Sequence, residues 1–300
     1  MASTLPQLRI ENPVSTQTIP ERKNQGHWIQ QRSPSRFNAL GLAHHWHLAS
    51  LDAPTVAVVW SIAFAWSAHS HLAPWVLPLE ALVVWAAYVG DRLLDVKQGL
   101  QHDDAGMRDR HWFHWRHRRI LTPLAIGALV AAACIAVRWM PILIWKRDSM
   151  LGLASLAYFA RVHRGRLRER LFSKEMLVGV LFTSGCALPS LSWNNAMPIT
   201  FFAALAWLNC AAIENWESST HPRNISAIAF RFALIGFAVA TFSLALQPRA
   251  ALLLGCGAAS AALLAVLDHL RHRLTPLSLR TFADLVLLTP AILLATASFR

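Results

Sequence analysis

The chain has 300 residues, of which 55% are hydrophobic and 15% are charged, and its formal net charge at pH 7 is +12. Apolar runs that approach the length needed to cross roughly 30 Å of hydrocarbon recur along it, which excludes an ordinary soluble domain. Because the basic residues lie in the loops between these runs, they favour contact with anionic membrane lipids, and no nucleic-acid partner is expected.

The N-terminal range, residues 1–45, predicts a disordered cytoplasmic tail, because Gln, Ser, Pro, Asn and Arg are frequent there. The first apolar run begins only near Pro54, so no cleavable signal peptide is expected. The remainder of the chain, residues 46–300, is the predicted membrane domain.

Nine apolar segments in this domain each predict a membrane-spanning helix. They lie near residues 51–70, 75–94, 119–138, 141–160, 175–193, 198–215, 225–246, 250–270 and 281–299. The fourth is the weakest, because Lys146, Arg147 and Asp148 interrupt it. The expected fold class is an all-α integral membrane protein.

Loop charge predicts the orientation of these segments. Lys and Arg occur in the loops after segments two, four, six and eight, whereas the loops after segments one and five carry none. The positive-inside rule therefore predicts a cytoplasmic N-terminus, and an odd number of spans places the C-terminus outside. The expected location is the bacterial inner (plasma) membrane.

Two acidic clusters end apolar segments on the predicted cytoplasmic side. Asp91 and Asp95 are four residues apart and Glu214 and Glu217 are three apart, so each pair shares one helical face, and Asn209 lies two turns before Glu217. Carboxylate oxygens are the ligands that Mg²⁺ prefers, so the clusters predict two ions that clamp a diphosphate. The alternative is that they merely end helices in water, although acidic residues at a helix C-terminus oppose its dipole.

The acidic clusters and the order of the segments resemble the UbiA family of membrane prenyltransferases, over about residues 50–300. The first motif of that family, N-D-x-x-D-x-x-x-D, corresponds to the stretch from Asp91 to Gly99. Its second motif, often D-x-x-x-D-x-x-x-D, corresponds to Asn209, Ile213 and Glu217, with Glu214 adjacent.

Two further elements carry the resemblance. Tyr158-x-x-Arg161 is similar to the family's Tyr-x-x-Lys element, and the stretch from Ser173 to Gly179 resembles the opening of its fifth helix. For Arg161 and Lys174 the alternative is a basic loop that binds lipid headgroups.

The resemblance implies nine helices bundled around a central cavity open to the cytoplasmic face. It implies Mg²⁺-dependent transfer of a prenyl group from a polyprenyl diphosphate to an aromatic, quinoid or lipid acceptor within the membrane. The residues implied in catalysis and metal binding are Asp91, Asp95, Glu214 and Glu217, with Asn209 as a further metal ligand. The candidate residues for diphosphate binding, from their charge and position, are Arg92, Arg161, Lys174 and Arg231, with Tyr158 placing a hydroxyl nearby.

The motifs also depart from the family's pattern. Arg92 and Gly99 stand at two acidic positions of the first motif, and Asn209 and Ile213 stand at two of the second. Fewer carboxylates hold Mg²⁺ less tightly, although Arg92 can supply positive charge directly to a phosphate. The alternative hypothesis is a UbiA-like membrane binding or scaffold protein without prenyltransferase activity.

Three features outside the motifs also allow two interpretations. Arg231 would be buried beside a carboxylate or diphosphate, or would extend back to the membrane surface. Asp284 is predicted to lie in the first turn of the ninth segment, near Arg280, which favours a helix cap or an ion pair over catalysis. The stretch from His111 to His117 favours an amphipathic helix on the membrane surface, with a transition-metal site as the alternative.

Overall fold

The computed structural model of the protein describes residues 39–101, 109–163, 174–217 and 224–297. Within these ranges the long elements are all α-helices, and no strand occurs. The helices are α1 (Ala39–Leu48), α2 (Asp52–Ser67), α3 (Val76–Gln101), α4 (Asp109–Trp139), α5 (Ile142–His163), α6 (Lys174–Ala187), α7 (Ala196–Glu217), α8 (Ile225–Ser243), α9 (Pro248–Leu270), α10 (Pro276–Leu285) and α11 (Thr289–Ala297).

Each predicted apolar segment coincides with helical structure. The first eight correspond to α2 through α9, and the ninth corresponds to α10 and α11, which a 3₁₀ turn over Val286–Leu288 separates. The predicted tail differs in part, because its last residues belong to α1, while residues 1–38 lie outside the described ranges. The prediction of disorder rested on the average composition of residues 1–45, and this average did not indicate the apolar residues and histidines that form the short helix.

Five helical stretches of the described chain are long and apolar enough to cross a membrane. They are Trp112–Trp139, Trp193–Glu217, Ile225–Ser243, Pro248–Arg273 and Pro276–Thr296. The pair formed by α1 and α2, bent by 91°, makes a sixth if it is counted as one span. Charged residues interrupt the apolar sequences of α3 and α5.

The outer faces of several helices are apolar, as expected for surfaces in contact with lipid. Large exposed apolar side chains occur on α4, α5 and α8, and they include Ile126, Val137, Leu143, Leu153, Leu234 and Ile235. These faces support the predicted all-α fold with several helices suited to a bilayer.

An aromatic cluster joins α2 to α7 in the core. The rings of Trp60 and Phe202 stack with centroids 3.8 Å apart, and Phe64 packs against both. Trp60 also donates its indole N–H to the carbonyl of Leu287, at 2.9 Å. These contacts fix α2 against α7 and against the turn that follows α10, and all three regions contribute to the cavity described below.

Close backbone packing brings α6 against α7. A Cβ atom added at Gly179 would lie 2.8 Å from the backbone nitrogen of Trp207, which is closer than real Cβ atoms come. Glycine is therefore the residue that lets these two helices approach. The first turn of the same helix carries Lys174 and Glu175.

The turn between α1 and α2 contains one of the two non-glycine residues with a positive φ in the described backbone. Ser50 has a φ of 59° and is fully buried, and its hydroxyl lies 3.1 Å from Nε2 of His114. Trp85 donates its indole N–H to the carbonyl of Ala49, at 3.0 Å. The turn bends the chain by 91°, which places His47 beside Asp52.

Candidate functional site

A polar cavity of about 250 Å³ lies among α1, α2, α3, α6, α7 and α10. Among the described residues, the acidic side chains that line it are Asp52, Asp95, Glu175, Glu214, Glu217 and Asp284. The permanently charged basic side chains are Arg92, Lys174 and Arg280. Carboxylates thus outnumber these cations, so the wall attracts cations and repels an unaccompanied anion.

The structure brings both predicted acidic clusters to this one cavity. Asp95 represents the first cluster, and Glu214 and Glu217 represent the second, together with Asn209. All four lie in the C-terminal halves of α3 and α7, and both helices contribute to the cavity wall. Lys174 and Arg92, two of the predicted diphosphate ligands, line it as well.

The other predicted site residues lie outside the described lining. Asp91 is partly buried, one turn before Asp95 on α3, and Tyr158 is partly buried on α5. Arg161 at the end of α5 is exposed, and so is Arg231 on α8. Of the two interpretations of Arg231, the buried one is therefore not met, because its face of α8 is turned outward.

Asn209 supplies a buried oxygen atom with unused hydrogen-bonding capacity. Its side chain is only 5% exposed, and its Oδ1 has no hydrogen-bond partner among the described residues. Buried polar atoms are nearly always paired, so such an oxygen indicates a site for a further ligand. The carboxylates of Asp95 and Glu214 line the same cavity, and oxygen atoms of these kinds are the ligands that a hard cation such as Mg²⁺ prefers.

Arg92 is bound to other parts of the protein. Its guanidinium donates to the carbonyl of His47, at 3.1 Å, and to Oδ2 of Asp52, at 3.4 Å. The residue is 5% exposed. The charge that the sequence suggested for a phosphate therefore already pairs with Asp52.

Glu217 forms an ion pair with Arg280 of α10. The sequence placed Asp284, rather than Glu217, near this arginine. Because α10 already begins at Pro276, Asp284 lies near its C-terminal end and not in its first turn. The helix-dipole reason for an N-terminal cap at Asp284 is therefore wrong, and the residue instead faces His47.

His47, Asp52 and Asp284 form a buried cluster that the sequence did not reveal. Nδ1 of His47 lies 2.7 Å from Oδ2 of Asp52 and 3.1 Å from Oδ2 of Asp284. The signals available in the sequence were an aspartate at the start of the first apolar segment and another within the ninth. Nothing local links them, because Asp284 is distant from both partners along the chain.

Other polar groups lie away from the cavity. Both carboxylate oxygens of Glu80 on α3 lie within 2.8 Å of the hydroxyl of Ser61 on α2. The histidine-rich stretch predicted as a surface helix belongs instead to the first turns of the continuous helix α4. Within it, His114 contacts Ser50, and His117 contacts the carbonyl of Phe113.

Comparison with known proteins adds no family to these observations. No protein-family model matches the chain, and no curated protein or solved structure matches it.

Proposed function

We propose that the protein is a membrane prenyltransferase similar to the UbiA family, which transfers a prenyl group from a polyprenyl diphosphate to an aromatic, quinoid or lipid acceptor. The observation that carries this proposal is that Asp95, Glu214 and Glu217, from two clusters far apart in the sequence, line one cavity. Helix ends that merely entered water would not need to converge in this way.

The proposed architecture has nine membrane spans around this cavity, which opens to the cytoplasm. Helices α2 to α9 supply one span each, and α10 with α11 supplies the ninth. The match between these helices and the apolar segments supports the count, and the exposed apolar faces of α4, α5 and α8 support their contact with lipid. The basic loops support a cytoplasmic N-terminus.

Mg²⁺ is the cofactor that we propose, held by Asp91, Asp95, Asn209, Glu214 and Glu217. When bound, it neutralises the charge that builds up on a diphosphate leaving group. The excess of carboxylates on the wall supports this, because a diphosphate would be repelled from the cavity without accompanying cations.

The protein's own cations would bind the phosphate oxygens. Lys174 is exposed at the start of α6 and also lines the cavity, so its ammonium group can reach an incoming diphosphate. Tyr158 and Arg161 lie on α5, beyond the described lining, and would contact the part of the donor nearest the cytoplasm. Arg92 would act mainly by holding Asp52 in place, since its guanidinium is already paired.

Apolar side chains on the same wall provide a place for the isoprenoid and exclude water from the reacting carbon. Val56, Phe182 and Leu287 line the cavity and also belong to the hydrophobic core around the aromatic cluster of α2 and α7. Departure of the diphosphate leaves allylic positive charge on the prenyl group, and the acceptor captures it with loss of a proton.

Turnover of a radiolabelled prenyl diphosphate tests the proposal. Purified protein in detergent is supplied with Mg²⁺ and a pool of lipid or quinoid acceptors, and labelled product is measured. We expect product with the wild type and none with Asp95→Asn. Asp148→Asn is the matched control, because this aspartate pairs with Arg147 on α5 outside the described cavity lining. Activity in Asp95→Asn equal to that of the wild type would remove Asp95 from the mechanism.

The second candidate function is that of a membrane binding or scaffold protein without prenyl transfer. It is favoured by the ion pairs of Arg92 with Asp52 and of Glu217 with Arg280, which commit two site residues to structural roles. A wild type that binds prenyl diphosphate but yields no product across a broad acceptor panel would support this function instead.

A further inference from the structure

We infer that His47, Asp52 and Asp284 form a binding site for a divalent transition-metal ion, distinct from the oxygen ligands proposed for Mg²⁺. The three residues come from three helices, α1, α2 and α10, and all three line the polar cavity. One ligand atom from each lies within 4.8 Å of the others.

The distances suit a common ion. Nδ1 of His47 is 2.7 Å from Oδ2 of Asp52 and 3.1 Å from Oδ2 of Asp284. Nitrogen and oxygen ligands bind such metals at about 2.0–2.2 Å, so two ligands of one ion lie roughly 3 Å apart. Movements of a few tenths of an ångström would therefore complete the site.

The charges of the cluster call for a cation. Two carboxylates are present, and the guanidinium of Arg92, 3.4 Å from Asp52, balances one of them. Arg280, the other arginine on this wall, pairs with Glu217. The side chains of His47 and Asp52 are each 3% exposed, and buried charges in proteins are paired or coordinate metals. The remaining negative charge is balanced either by a metal ion at Nδ1 or by a proton there, and the experiment below separates the two.

Surrounding contacts hold the ligands in place, as in established metal sites. The backbone N–H of Ala53 donates to Oδ1 of Asp52, which leaves Oδ2 directed at His47. Arg92 holds the carbonyl of His47, and the buried Ser50 fixes the turn between the two ligands. An ion could therefore bind to the three ligands without rearrangement of the backbone.

Unpaired polar atoms on the same wall point to a ligand. With Nδ1 of His47 on an ion, Nε2 on the other side of the ring is left for a second polar group. Nε2 and Oδ1 of Asn209 both lack a hydrogen-bond partner among the described residues, although both side chains are at least nine-tenths buried. Three protein ligands leave coordination positions open, and the cavity gives an oxygen-bearing molecule access to them. An ion here would polarise an oxygen atom of whatever occupies the cavity.

The donor set identifies the class of metal. One imidazole with two carboxylates suits Mn²⁺, Fe²⁺, Co²⁺ or Zn²⁺, whereas Mg²⁺ favours oxygen ligands alone. Resistance to competition by Mg²⁺ is therefore the property that separates this site from the one under the proposed function.

Cobalt provides the probe, because its visible d–d absorption changes when protein ligands replace water around the ion. Tag-free, full-length protein in detergent is titrated with Co²⁺ in the presence of a large excess of Mg²⁺. We expect one Co²⁺ per chain, with visible absorption and a higher melting temperature on binding. His47→Gln should abolish the absorption, and Asp284→Asn should raise the dissociation constant at least about 10-fold.

Two control variants make the outcome decisive. His44→Gln removes a histidine from the same helix, one turn from His47, and should leave Co²⁺ binding unchanged. Asp95→Asn should also retain it, so that a failure of the proposed Mg²⁺ site is distinguishable from a failure of this one. If His47→Gln does not fold, Asp284→Asn decides. The inference would be overturned if the wild type did not bind Co²⁺ in excess Mg²⁺, or if both His47→Gln and Asp284→Asn still bound it. Either result would favour a protonated His47.

Discussion

Glu217 at the end of α7 forms an ion pair with Arg280 of α10, and the two side chains are only 14% and 9% exposed. The pair links the second acidic cluster to the C-terminal helices. The carboxylate of Glu217 lies on the same cavity wall as those of Glu214 and Asp284, so the ion pair belongs to a larger group of charged residues.

Arg280→Ala should destabilise the protein by about 3–5 kcal/mol, because it breaks an ion pair whose two partners are both largely buried. The measurement is denaturant unfolding in detergent micelles. Arg231→Ala is the control, since this arginine is exposed on α8, and its effect should stay within about 0.5 kcal/mol. Equal effects of the two variants would show that the Glu217–Arg280 pair contributes nothing to stability.

Gly179→Ala should destabilise the protein by about 1–3 kcal/mol, because the added Cβ would overlap the backbone of α7 at Trp207. Gly185→Ala on the same helix has open space around the new Cβ and should be neutral or stabilising by up to about 1 kcal/mol. Thermal unfolding of the two variants compares them directly. The reverse order of stabilities would contradict the close approach of α6 and α7.

Ser50→Ala should be less stable than Ser50→Gly by about 1–2 kcal/mol, because alanine keeps a Cβ at a φ of 59° whereas glycine does not. Both variants lose the hydroxyl that contacts His114. The difference between their melting temperatures therefore isolates the cost of the backbone conformation. Equal melting temperatures would show that the turn relaxes to an ordinary conformation.

Reporter fusions test the proposed topology. Fusions after Gly99 and Glu217 should report a cytoplasmic location, and a fusion after Arg300 should report an external one. The informative segment is α5, whose apolar sequence is interrupted by Lys146, Arg147 and Asp148. If α5 does not span, the fusion after Glu217 reports an external location, and a site shared by the two acidic clusters is ruled out.

The positions of the helices were predictable from the sequence, because an apolar run of this length must form hydrogen bonds within itself. Convergence of the two acidic clusters was likewise expected from their places at helix ends on one side. The break within the ninth segment, at Val286–Leu288, could not be predicted, because the apolar pattern continues through it.

The partners of the charged residues could not be predicted. Arg92 pairs with Asp52, and Asp284 faces His47, across long separations in the chain. Such contacts follow from how the helices pack, and helical periodicity specifies only the face on which a side chain lies. The cluster of His47, Asp52 and Asp284 was missed for this reason.

We propose that the two acidic clusters form one Mg²⁺-dependent diphosphate site. Calorimetric titration of inorganic diphosphate into the wild type, Asp95→Asn, Glu214→Gln and the double variant tests it most directly. We predict binding only in the presence of Mg²⁺, loss of affinity in each single variant, and a total loss in the double variant smaller than the sum of the two, because the residues share one ligand. Binding of equal affinity without Mg²⁺, or strictly additive losses, would contradict the claim.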